Sequence, residues 1–227
     1  KHMRTKAIIV AVLFLAVAMF NIITRKEISY HPEFSKITAT YSFGISTANA
    51  YPPAVGILSN SKNCLSCHVN NGQWKGDENT FIDILDKETQ KSLRQTDGTF
   101  LIETNRYETK TVLTVIGRKK DKNVSAPYRN AWLYIDSSTI GKPSLSKFAP
   151  GWDVNLPMSC RVVGDHIPGY ENADITSLPM TVQPHTYAAN AELQLQVMMT
   201  AGESVKGNAK QEMIGNYFER KVILKVR

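Results

Sequence analysis

Cysteine and histidine are scarce in this chain, three and five among 227 residues. So few cysteines exclude a disulfide-stapled scaffold, and at this length a hydrophobic core makes one unnecessary. Concentrated positive charge is also missing. The net charge is +7, but five of the 27 basic residues (Lys1, Arg4, Lys6, Arg25 and Lys26) flank one N-terminal apolar run, leaving 22 against 20 acidic residues. No basic cluster with interleaved aromatics occurs, which excludes nucleic acid as a partner. The chain shows no internal repeat and no low-complexity tract, and its 42 % apolar and 21 % charged content is that of a folded domain.

The one long apolar run is Ala7–Phe20, "AIIVAVLFLAVAMF", extended past Asn21 by Ile22 and Ile23. As a helix, residues 7–23 would be about 26 Å long, close to the hydrocarbon thickness of a bilayer. With basic residues before it and Met3 as the start, the run reads as a cleaved signal peptide or an uncleaved anchor. Either reading exports the rest to the periplasm or another extracytoplasmic compartment. Three segments follow: 1–26 as signal or anchor, 27–58 as linker and lead-in with Pro52, Pro53 and one helical turn around Val55–Leu58, and 59–227 as the main domain.

After Trp74 the periodicity is that of strands. "FIDIL" (Phe81–Leu85), "TFLIET" (Thr99–Thr104), "KTVLTVIG" (Lys110–Gly117), "AWLYID" (Ala131–Asp136), "PMSCRVV" (Pro157–Val163), "SLPMTV" (Ser177–Val182), "AELQLQVMM" (Ala191–Met199) and "YFERKVILKV" (Tyr217–Val226) are β-branched, aromatic or alternating, with turn signals between them. Leu193, Leu195, Val197 and Met199 predict an apolar face, with Glu192, Gln194 and Gln196 facing solvent. Seven or eight such strands predict a mainly β fold, an immunoglobulin-like antiparallel sandwich without the Cys–Trp–Cys pattern of a true immunoglobulin. Helix is expected only in the N-terminal run and near the cysteine pair.

That pair lies in "NCLSCHVNNGQW" (Asn63–Trp74): Cys64 and Cys67, followed directly by His68. A redox dithiol at this spacing belongs near a βαβ pattern, which is absent. A zinc site needs a second close ligand pair, and His31, Cys160, His166 and His185 form none. Cys-x-x-Cys-His is the pattern of covalent haem attachment, in which two thioethers hold one porphyrin and the adjacent imidazole ligates iron. No second motif of this kind occurs.

The other axial ligand remains open on the residues alone. Cys160 is an unpaired thiol in an exported chain, with Arg161 beside it to favour a thiolate. Met158, two residues away, shares its strand face, and Met180 sits in a second "LPM". His166, His185 and five-coordinate iron are further alternatives, and for Cys160 an inert packed thiol is the plain one. Trp74, Trp132 and Trp152 read as core residues, and "DKETQK" and "GRKKDKN" as solvated loops. No cluster of acid–base groups suggests an enzyme.

On its "CLSCH" motif the chain resembles the c-type cytochromes. That resemblance implies extracytoplasmic maturation, a single haem c, and electron transfer or gas binding at iron. With a lone downstream cysteine and a β-rich body, it more narrowly resembles the small cytochrome c subunits of anammox bacteria with histidine/cysteine ligation. That family implies thioethers at Cys64 and Cys67, proximal His68, distal Cys160, low potential, and a cognate cytochrome subunit or other redox partner in a dimer. It also implies binding of NO or CO when the distal ligand leaves.

Overall fold

The structure, a computed structural model, describes residues 63–66, 68–141, 149–155, 158–201 and 214–227, with the backbone alone at Met158 and Ser159. The chain divides into two compact units, residues 1–48 and 49–227, and every described residue belongs to the second. The apolar run 7–23, the turn around 55–58 and Cys67 lie outside the described residues. Among the described residues no helix is long and apolar enough to cross a membrane.

All eight predicted stretches form strands, and two more bring the total among the described residues to ten. They are β1 (Val69–Asn70), β2 (Thr80–Asp86), β3 (Phe100–Thr104), β4 (Lys110–Lys119), β5 (Arg129–Asp136), β6 (Trp152–Asn155), β7 (Met158–Val162), β8 (Ala173–Pro184), β9 (Ala191–Thr200) and β10 (Ile214–Val226). Among the described residues, helix is limited to two single 3-10 turns, Cys64–Ser66 and Ser137–Thr139.

The strands form two sheets. The six-stranded sheet runs β1-β10-β9-β5-β7, with β3 also on β10; the four-stranded sheet runs β2-β4-β8-β6. β1 and β3 both pair parallel with β10, β1 at Ile214 and Gly215 and β3 from Val222 to Val226. The ladders β9–β10, β5–β9, β5–β7, β2–β4, β4–β8 and β6–β8 are antiparallel.

Alternation puts one residue in two between the sheets. The shared core takes Trp132, Tyr134, Leu195, Val197 and Val222 from the larger sheet and Ile82, Val112, Ile116, Met180 and Val182 from the smaller, so the domain is a β-sandwich. Tyr134 and Thr114 join the sheets through a buried hydroxyl pair at 2.5 Å; burial pushes the Tyr134 phenol well above its ordinary value. On the outer side of the smaller sheet, Leu85, Val115 and Ile175 are covered by Ile167 and Tyr170 of the loop before β8.

The outer face of the larger sheet departs from the sequence reading. Leu133 and Ile135 form a buried cluster there. Gln196 and Met198, on the side expected to meet solvent, are 1 % and 0 % exposed. Alternation correctly assigns them to the outer side, but these two are buried there, while Glu192 and Gln194 are half-buried.

Candidate functional site

Cys64–Ser66 forms a tight 3-10 turn, and Val69–Asn70 forms a two-residue strand. Ser66 N–H donates to the Asn63 carbonyl at 3.1 Å and His68 N–H to the Cys64 carbonyl at 3.0 Å. These bonds fix Cys64 and His68 on consecutive levels of one turn. β1 then lies against the start of β10, and an amide clasp locks it there. Asn70 Oδ1 accepts from Tyr217 N–H at 3.1 Å and from Asn216 Nδ2 at 3.3 Å, while Asn216 Oδ1 accepts from Trp74 N–H at 2.8 Å. Gly72 N–H donates to the Gly215 carbonyl at 2.8 Å. A β-carbon on Gly72 would sit 2.4 Å from Asn216 Oδ1 and 2.9 Å from the Gly215 carbonyl group, so the close approach needs glycine.

The turn brings Cys64 onto the outer face of the larger sheet. Its thiol reaches Gln196 Oε1 at 3.9 Å. A polar relay continues along β9 and β10. Gln196 Nε2 donates to Gln194 Oε1 at 2.7 Å, Gln194 Nε2 to Glu219 Oε2 at 3.0 Å, and Tyr217 Oη to the same carboxylate oxygen at 3.0 Å. Burial first, then the charges of Cys64 and Glu219, push the Tyr217 phenol far above its ordinary value. Tyr217 therefore acts as a neutral donor.

Register places Cys160 on the same face. One row across the sheet runs Tyr217, Met198, Ala131, Cys160, and the next runs Glu219, Gln196, Leu133, Met158. Met158, described by its backbone alone, aside, the side chains of these adjacent alternate rows emerge on one side. Two strand spacings and one two-residue step separate Gln196, beneath Cys64, from Cys160, a backbone distance of about 12 Å. Cys160 is a free, half-buried thiol, and Arg129 Nη1 lies 3.9 Å from its sulfur. Arg161, the neighbour that sequence suggested as its cationic companion, alternates to the opposite face and pairs with Asp165 at 3.2 Å. Arg129, two residues along the adjacent strand, takes that place, a contact visible only once the β5–β7 register is known.

The remaining candidates lie elsewhere. Met180 is 2 % exposed and packs in the shared core from the other sheet. His185 lies beyond β8 at the far end of the sandwich and pairs with Asp153 at 2.7 Å. His166 is exposed in the loop between β7 and β8. Met158 has its backbone in the Gln196 row. All three tryptophans are buried, and the Trp74 and Trp152 indoles donate to the Ser125 and Ala189 carbonyls, both at 2.8 Å. Among the described residues no three of His, Cys, Asp and Glu gather as a metal-binding cluster. Cys64 and the His68 backbone stand at one side of the outer face, and a second sulfur, Cys160, lies across it.

No protein-family model and no curated protein matches the chain. Among solved structures, similarity is found to the ASH/PapD-like domain of human CEP192 (9 % identity, 70 % of this chain and 94 % of that one, TM-score 0.32). It is found also to a family 123 glycoside hydrolase from Clostridium perfringens (11 %, 66 % and 27 %, TM-score 0.29), and to AvmM, which catalyses macrocyclization in alchivemycin A biosynthesis (10 %, 66 % and 90 %, TM-score 0.30). At these scores none of the three bears on the function of this chain.

Proposed function

We propose that the chain is an exported mono-haem c-type cytochrome that carries electrons, with haem c tied through Cys64 and Cys67, His68 proximal and Cys160 distal. The observation that carries this reading is the shared outer face: the sulfur of Cys64 rests over Gln196, and Cys160 emerges from the same side of the same sheet. When bound, the haem supplies a one-electron iron couple, whose potential a sulfur anion lowers. The chain's own residues do the rest. The Asn70–Asn216 clasp holds the motif on β10. Leu133 and Met198 give the face a buried apolar floor, and Gln196 presents a side-chain amide beneath Cys64. Ala131, opposite Cys160, puts only a methyl group beside the sulfur.

The finer architecture belongs to the same proposal: an immunoglobulin-like sandwich carrying the motif loop at one end, behind an apolar N-terminal helix that exports or anchors it. A protein partner, either a redox protein or a cognate cytochrome subunit in a dimer, would deliver and take the electron. No enzymatic step is assigned.

A second reading, binding of NO or CO in place of the distal sulfur, is favoured by one observation. Among the described residues β7 is an edge strand, held to its sheet by a five-pair ladder to β5, and edge elements open at lower cost than central ones.

Native mass should exceed the polypeptide mass by one haem, and Cys160→Ala should change the ferric absorption spectrum and raise the midpoint potential. An unchanged spectrum removes Cys160 from the iron. Carbon monoxide added to the reduced protein separates the two readings: no shift means electron transfer alone, and a shifted spectrum means displacement.

A further inference from the structure

Arg129 opens β5, and Cys160 is the third residue of β7. Arg129 pairs with Val162 and Ala131 with Cys160, so the arginine and the cysteine are diagonal neighbours on one face, their β-carbons about 7 Å apart. The arginine side chain spans that gap past the small Ala131, bringing Nη1 to 3.9 Å from the sulfur. Its guanidinium carbon also lies 5.7 Å from the centre of the Tyr128 ring, a second contact that restrains it. The backbone beneath is fixed on both sides, since Arg129 pairs with Thr200 of β9 as well as with Val162.

We propose that Arg129 is a positioning residue for the distal ligand: its N–H donates to Cys160 Sγ, aims that sulfur across the outer face and moderates its electron donation. The inference rests on the cytochrome reading above. A charged donor bonds an anionic sulfur more strongly than a neutral one. Hydrogen bonds to a ligand sulfur are among the levers by which a protein sets a potential. Density drawn toward the guanidinium is density not given to the metal. The oxidised state is then less favoured, and the midpoint potential sits higher than a bare thiolate would leave it.

The test is an optical redox titration of the purified holoprotein and its variants. Arg129→Gln should lower the midpoint potential by the equivalent of about tenfold in the reduced-to-oxidised ratio, about 59 mV for one electron. Arg129→Met, which keeps the packing stem and loses the donor, should do the same, so the test does not depend on one variant folding. Arg129→Lys should recover part of the shift. In a Cys160→Ala background, Arg129→Gln should add nothing. A wild-type potential in both Gln and Met variants, or an equal shift with and without Cys160, overturns the proposal. Two other results overturn it from below and are distinguishable: wild-type protein without covalent haem defeats the cytochrome reading, and an unchanged Cys160→Ala spectrum defeats sulfur ligation.

Discussion

At Asp86 a single carboxylate holds together the end of β2, the turn after it and the start of β4. Oδ1 accepts the N–H groups of Glu88 and Thr89 and the Thr89 hydroxyl, and Oδ2 meets the Lys110 ammonium. The Lys110 bond first, then the Thr89 backbone N–H, hold its pKa at about 2 against an ordinary 3.8. A carboxyl lowered on folding contributes stability that is fully present above its unfolded pKa and lost as pH falls through the folded one. The window is therefore from about pH 4 down to about pH 2, and the contribution is on the order of 1 to 2 kcal/mol. Asp86→Asn should remove that slope. Urea midpoints measured at pH 4 and pH 2 should converge between wild type and variant at the lower pH, and a constant gap would assign the site no titrating role.

At the scale of elements, the shortest strand positions the motif. β1 has two residues, yet the Asn70–Asn216 clasp and the Gly72–Gly215 bond fasten it to a strand about 145 positions away. Gly72→Ala would drive a methyl group into Asn216 Oδ1 and the Gly215 backbone. The expected loss is about 1 to 3 kcal/mol, the range for overpacking a closed contact. The thermal midpoint should fall and the region 68–74 should exchange amide hydrogens faster, whereas unchanged exchange there would show that the clasp does not hold the loop. This element was not legible in the sequence. Val69–Asn70 has no alternation to read, and its partner lies too far along the chain for any local signal. β6, four residues behind Gly151, was missed for the same shortness. The longer stretches were legible because Val, Ile and aromatic residues recur at period two, and tertiary pairing extended them without changing their phase.

For the whole molecule, alternation says which residues share a face of one strand but not which strand lies beside it. Cys64 and Cys160 meet one face because β10, β9, β5 and β7 are neighbours in that order, through pairings that span much of the chain. Chemistry marked the cysteines in the sequence; only topology relates them. The same end of the sandwich is closed by Trp74 and Arg118. Trp74 N–H donates to Asn216 Oδ1 of the larger sheet. Arg118 of β4, 7 % exposed, donates to the Trp74 carbonyl at 2.9 Å and to Thr80 Oγ1 at 2.8 Å. Burial lowers the Arg118 pKa, partly offset by Glu78 and Asp121, so its charge is held in a partly dry site by these acceptors. Arg118→Met should cost about 3 kcal/mol, since bonds to a charged donor are lost and a buried carbonyl is left unpaired. Arg118 ties the sheets together without touching either sulfur. Denaturant unfolding should therefore show the loss while the absorption spectrum of the folded protein keeps its wild-type shape. A changed spectrum would mean that the join between the sheets, and not the outer face alone, sets the geometry of the site.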